Sequence, residues 1–326
     1  MRLIVGVDLG GTTIVVGTLT EDGSTLYGLI EEPTPGALGP EKVIALIGAM
    51  IHRSIEATRS ECGGDVEIAG VGIGAPGPLD TARGVVIVTP NLGWRDVPLR
   101  DLVATATGLE ATLDNDANCA TLGEWWRGAA QGAHVVVGMT IGTGIGGGIV
   151  LDGEIFHGAS DVAAEIGHMT IDVTGRRCKC GNYGCLEAYA SGPAIAARAV
   201  EEIEAGTASA IPALVGGSLD QVTARIVYQA AHAGDALALE IVRDTARFLG
   251  AGVANLVNIL NPDVIIVTGG VTRAGNLLLD PLRIEVARRA FKPAVQACRI
   301  VPGGLPGTAG VYGAVASFKV QRWGRA

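Results

Sequence analysis

Three cysteines, Cys178, Cys180 and Cys185, crowd one short stretch of the chain, and His168 stands a little upstream of them. Three thiolates and one imidazole make a complete tetrahedral ligand set for Zn²⁺, which predicts a closed, structural site without chemistry of its own. Gly181 and Gly184 let the loop fold back until Cys185 meets the other two. Left without metal, loop thiols this dense would be prone to oxidation. Cys62, Cys119 and Cys298 are scattered among small or apolar neighbours and read as ordinary buried thiols of a reducing compartment.

A second chemistry is written in glycine and threonine. Asp8-Leu9-Gly10-Gly11-Thr12-Thr13 places an acid at a strand end, two glycines at a turn and two hydroxyls just beyond. Glycine permits a tight turn and lets backbone N–H groups approach phosphate oxygens, to which threonine hydroxyls can also donate. Asp8 would face phosphate only across a cation, so its natural role is to hold Mg²⁺, often through water. Gly142-Thr143-Gly144 repeats the device, and Gly269-Gly270 ends a third strand where a base or ribose could be approached. Any one of these alone is an ordinary β-turn; two related loops argue for a nucleotide. Neither is a P-loop or a dinucleotide fingerprint, since GxxxxGK[ST] is absent and the loop from Gly142 leads back into a strand.

Carboxylates and amides lie beside both features: Asp114-Asn115-Asp116, then Glu165 just before His168, and Glu187 just after Cys185. A polyol substrate needs such groups to bond its hydroxyls in pairs, plus one carboxylate able to take a proton.

Together, Asp8-Leu9-Gly10-Gly11-Thr12, Asn115-Asp116, Gly142-Thr143-Gly144, Glu165-Ile166-Gly167-His168 and the run from Cys178 to Glu187 resemble the signature of the ROK family of repressors and sugar kinases. The resemblance runs from residue 4 to about 316; the cysteine motif is its most specific part. It implies a two-lobed, actin-like ATPase (ribonuclease H-like) α/β fold, with an active-site cleft between the lobes and a structural zinc loop. It implies an ATP- and Mg²⁺-dependent hexose kinase. Asp116 would be the base for the sugar 6-hydroxyl, while Asn115, Glu165, His168 and Glu187 hold other hydroxyls. Thr12 and Thr143 would contact ATP phosphates, and Gly269-Gly270 would lie near adenosine. Pro90-Asn91-Leu92-Gly93-Trp94 is similar to the glucokinase branch, in which Asn91 would touch a sugar hydroxyl and glucose would be the substrate. Alternatives within the class are kinases for N-acetylmannosamine, fructose or allose, and a glucokinase that also takes polyphosphate. A homodimer is expected on the family's habit alone. A sugar-sensing repressor is the rival from another class; such proteins carry a helix-turn-helix before the first phosphate loop, and Asp8 stands early for one.

These residues need a scaffold. Leu3–Asp8 and Ile14–Leu19 read as strands flanking the first loop, Glu41–Thr58 as a helix with apolar residues at helical spacing, and Val66–Ile73 as a further strand. Val135–Ile141 and Ile149–Leu151 flank the second loop, read as the whole of Gly142–Gly148; residues 194–260 read mostly as helix, Asp263–Thr268 as strand, and Gly310–Phe318 as a closing helix. The two strand–loop–strand units predict lobes of 1–117 plus about 302–326, and 118–301. With 48% hydrophobic and 17% charged residues, the chain of 326 can bury a large core. A net charge of −9, with no long basic run, speaks against nucleic acid and anionic membranes as partners. The N-terminus has no long apolar stretch like that of a signal peptide, and Val135–Leu151 is broken by glycines, so a cytoplasmic, membrane-free protein is expected.

Overall fold

The β-branched run near the N-terminus forms β1 (Arg2–Leu9), buried from Leu3 to Val7, at the centre of the first sheet of the computed structural model. The structure describes residues 1–63, 66–89, 91–324 and 326; Pro90, part of the glucokinase-like motif, lies outside them. β2 (Thr13–Thr20) and β3 (Leu26–Pro33) follow as antiparallel neighbours. Next comes α1 (Pro40–Cys62), which opens on proline at its first position and closes on a left-handed Gly63. Its buried residues Val43, Ile47, Met50, Ile51 and Ile55 recur at three- and four-residue intervals, the stripe a helix needs to cover a sheet. β4 (Glu67–Ala75) then lies parallel to β1.

A small three-stranded sheet, β5 (Leu79–Asp80), β6 (Val85–Thr89) and β7 (Trp94–Val97), precedes α2 (Leu99–Thr107), β8 (Ala111–Asn115) and α3 (Asp116–Arg127). β8 is parallel to β4, giving the first sheet the order β3-β2-β1-β4-β8. The second five-stranded sheet has the order β11-β10-β9-β12-β13. Its strands are β9 (Val135–Ile141), β10 (Ile145–Leu151), β11 (Glu154–Ile155), β12 (Val264–Thr268) and β13 (Arg299–Pro302). Between β11 and β12 run α4 (Glu187–Ala190), α5 (Gly192–Glu204), α6 (Ile211–Leu214), α7 (Ala224–His232) and α8 (Ala236–Leu260). α9 (Asn276–Arg289), α10 (Lys292–Ala297) and α11 (Ala309–Trp323) complete the chain.

The chain forms two compact units: Met1–Gly138 with Gly148–Ala164 and Gly303–Ala326, and Met139–Gly147 with Glu165–Pro302. In the first, α11 returns to lie directly on β1 and β4. A Cβ at Gly6 would stand 2.3 Å from the Val311 carbonyl oxygen, and one at Gly72 would stand 1.9 Å from that of Ala314. Only glycine lets helix backbone and sheet approach so closely. Among the described residues, no helix is long and apolar enough to cross a membrane.

The second glycine loop is shorter than its composition suggests. Gly146, Gly147 and Gly148 are strand residues of β10, and the turn is confined to 142–144. The reason lies in α3: a Cβ at Gly148 would meet the Thr121 hydroxyl at 2.4 Å. The need for glycine there comes from packing against a helix distant in sequence, not from a ligand.

Candidate active site

In the first unit, three parallel strands end at one edge. Asp8 of β1 is in register with Gly74 of β4, and Ala75 with Asn115 of β8. Ligands of open α/β sheets gather at such carboxyl ends. The turn beyond β1 closes on itself, Gly10 N–H donating to the Thr13 carbonyl at 2.9 Å, which leaves the Thr12 side chain exposed and Thr13 as the first residue of β2. Asn91 is brought against this turn: a Cβ on Gly11 would lie 3.4 Å from that of Asn91. Trp94 of the same motif is instead a core residue, 2% exposed.

α3 opens at this edge. Asn115 is its N-cap, the side-chain oxygen accepting from Ala117 N–H at 2.9 Å and Asn118 N–H at 3.1 Å. That oxygen is occupied in holding the helix, so the amide NH₂ is the group Asn115 has left to offer a ligand. Asp116 is the first residue of the helix, where negative charge is favourable. Its Cα would be 3.5 Å from a Cβ on Gly74, which sets it over the strand position paired with Asp8. Burial, with the charge of Asp116 added, pushes the Asp8 carboxyl up to about 7. Gly310 of α11 makes the space: a Cβ there would lie 2.1 Å from an Asp8 carboxylate oxygen. Two acids so placed, one reluctant to ionise, form a set that a divalent cation would relieve.

In the second unit the turn Gly142-Thr143-Gly144 is surrounded by the other expected residues. Glu187, at the start of α4, accepts the Ile145 N–H at 2.7 Å, and a Cβ on Gly144 would stand 2.5 Å from the same oxygen. Gly192 N–H, at the start of α5, donates to the Gly142 carbonyl at 2.8 Å. Gly269, at a φ of 89°, backs onto the Ile141 carbonyl, and Gly270 is open on its side-chain face. Thr143 is exposed and borders a cavity of about 440 Å³ also lined by Arg176, Lys179, Glu187, Ser191 and Ala197. Ser191 and the N-terminal turn of α5 were not singled out from sequence. Their signal was Ser191-Gly192-Pro193, a capping serine before a helix-opening proline.

The cysteine loop belongs to the same unit. One donor atom from each of His168, Cys178, Cys180 and Cys185 lies within 4.8 Å of the others. His168 Nδ1 is 3.9 Å from the Cys178 sulfur, and the Cys180 and Cys185 sulfurs are 3.7 Å apart. A tetrahedron with metal–sulfur bonds of about 2.3 Å has edges of about 3.8 Å, so the cage fits Zn²⁺. Burial pushes the Cys185 thiol up to about 12 and raises Cys178 as well, whereas backbone hydrogen bonding lowers Cys180. Three thiolates there need a cation. Nδ1 faces the sulfurs while Nε2 lies 3.9 Å from a carboxylate oxygen of exposed Glu165, so the two ring nitrogens point to different neighbours.

The structure thus gathers Asp8, Gly10, Gly11, Asn91, Asn115 and Asp116 in one unit. It gathers Thr143, Gly144, Glu165, His168, Glu187, Gly269 and Gly270 in the other. The model of the ROK family matches residues 4–321. The chain belongs to the ROK family. A glucokinase of Halalkalibacterium halodurans is 39% identical over 313 residues, 96% of this chain and 93% of that protein. A xylose repressor of Caldicellulosiruptor bescii is 33% identical, over 96% of this chain and 77% of its own length. Among solved structures, the ROK family glucokinase of Streptomyces griseus, in complex with glucose and AMPPNP, superposes with a TM-score of 0.83. It is 36% identical, with 96% of this chain and 98% of that one covered. The α/β, two-unit architecture is therefore that of ROK sugar kinases.

Proposed function

We propose that this chain is an ATP-dependent glucokinase that phosphorylates the 6-hydroxyl of glucose. The observation that carries the reading is Asp116, in the first turn of α3, set over the strand that pairs with Asp8. An acid able to take a hydroxyl proton and an acid suited to a phosphate-bound cation belong to one sheet edge, as phosphoryl transfer requires. The similarity to glucokinases of H. halodurans and S. griseus over nearly the whole chain supports the same activity.

In this reading Asp116 accepts the proton as the 6-hydroxyl oxygen attacks the terminal phosphorus, and ADP leaves in line. Asn91, Asn115, Glu165, His168 and Glu187 bond the other hydroxyls. Backbone N–H groups of Gly11 and Gly144, with the hydroxyls of Thr12, Thr13 and Thr143, take the phosphate oxygens, in turns that the Gly10 and Gly142 N–H groups close by donating to the Thr13 and Gly144 carbonyls. Gly269 and Gly270 lie toward the adenosine, and the cavity beside Thr143 offers it room. Magnesium held by Asp8 would neutralise phosphate charge. Zinc on His168, Cys178, Cys180 and Cys185 would be structural, keeping Glu165, His168 and Glu187 in place. A cytoplasmic homodimer completes the reading.

The xylose repressor relative names the competing class, but identity and mutual coverage are both higher for the glucokinase. The deciding experiment is a coupled assay of purified protein over a panel of hexoses and phosphoryl donors. Phosphorylation of glucose from Mg·ATP at enzyme-like rates supports the proposal. Sugar binding without turnover would replace it with a sensor.

A further inference from the structure

Asp114 immediately precedes the N-cap of α3, and its side chain is 1% exposed. A carboxylate buried so deeply must be matched donor for donor. His157 Nε2 lies 3.1 Å and 3.2 Å from its two oxygens, and the Ser317 hydroxyl of α11 donates at 2.9 Å. The Asn115 N–H donates at 2.8 Å and the Asn118 amide of α3 at 3.4 Å. With about four acceptor positions on a carboxylate, the group is full. It fastens together β8, α3, α11 and the segment after β11.

That segment, residues 156–164, is held at a second point as well. Asp161 accepts both the N–H and the hydroxyl of Thr81 at 2.9 Å. Its backbone is strained: Asp161 and Ala164 have φ of 57° and 63° although neither is glycine. Residues in that conformation persist only where their surroundings fix them. The chain leaves the first unit directly after Ala164, and Glu165 follows.

We propose that His157 is a positioning residue for phosphoryl transfer: bonded to Asp114, it holds the end of β8, and with it Asn115 and Asp116, in the geometry the base needs. This rests on the reading of Asp116 as the base. The charged groups that face the imidazole are Asp114 from β8 and Asp161 from its own segment. The hydrogen bond to Asp114 raises its pKa above the ordinary histidine value, against the lowering effect of burial, and a bond to the Ile155 carbonyl adds to the rise. A carboxylate facing Nε2 favours the charged form of the ring. Asp114 in turn belongs to a neighbourhood of acids: the charges of Asp114, Asp8 and Asp116 all reach the buried Cys119 thiol.

The test compares His157→Ala, His157→Gln and Asp116→Asn with the wild type, each scaled to its folded fraction. H157A should lower kcat for glucose about tenfold to a hundredfold while KM for glucose and ATP stays within about threefold, as expected when only the reacting geometry is lost. H157Q, whose amide can still donate to Asp114, should recover most of kcat. A merely structural histidine would lower melting temperature and leave kcat per folded molecule where it was. H157A keeping more than half of wild-type kcat per folded molecule, beside an inactive D116N, would overturn the proposal and spare the Asp116 reading. An active D116N would sink both.

Discussion

Asp8→Asn should make the protein more stable and at the same time inactive. Asp8 has a pKa of about 7 in the folded protein against 3.8 as its ordinary value, because burial and the charge of Asp116 both disfavour the carboxylate. Between those two values the folded state holds a proton that the unfolded chain has released, so stability falls as pH rises from about 4 to 7 and is flat above. At about 1.4 kcal/mol per pKa unit, the full shift would cost about 4 kcal/mol at neutral pH and above. Asp8 is only half-buried, so solvent screening brings the expected cost nearer to about 2 kcal/mol. Asparagine keeps the shape that Gly310 accommodates and removes the charge. In magnesium-free buffer, D8N should match wild type near pH 4 and melt several degrees higher at pH 8, by calorimetry or circular dichroism. Adding Mg·ATP should stabilise wild type more than D8N. If D8N melts at or below wild type throughout pH 4–9, the carboxyl is not held up by burial and Asp116, and the argument for a cation at this edge fails.

Cys180→Ser should lower zinc content from about one per chain, and melting temperature and activity should fall with it, because metal binding is part of the folding free energy; zinc-free wild type by elemental analysis would refute the cage. Gly144→Ala would press a methyl against the Glu187 carboxylate, 2.5 Å away, and should weaken glucose turnover more than folding, measured as kcat/KM against melting temperature. An N-acetyl group at C2 should cost tenfold to a hundredfold or more in kcat/KM, since a buried polar partner left unpaired costs roughly 1–3 kcal/mol. Either N-acetylhexosamine matching glucose would show the substrate assignment to be wrong.

What could be read from the sequence was whatever chemistry is local. The cysteines proposed as zinc ligands fall within one loop, Asp8 through Thr13 within one turn, and Asn115-Asp116 within one helix start, so these candidates stand together in the sequence. The strands on either side of the first loop and the closing helix were equally legible, because their apolar periods are strong. The second loop reads too long from sequence because Gly146–Gly148 belong to β10, and at Gly148 the demand for glycine comes from Thr121 on α3. That Asn115 spends its side-chain oxygen on capping α3 is seen only in the fold. His157 carried no signal at all: its partners Asp114, Asp161 and Ile155 make sense only once the segment after β11 lies against β8. The small sheet β5–β7 escaped for a related reason, since its strands are two to five residues long and pair only with one another.

The measurement that bears most directly on the central claim is the turnover of Asp116→Asn with glucose and saturating Mg·ATP, beside wild type of equal zinc content. Loss of the general base and of its positioning should lower kcat by about two orders of magnitude or more, with glucose affinity by calorimetry nearly unchanged. A variant that keeps more than about a tenth of wild-type turnover would contradict the assignment of Asp116 as the base.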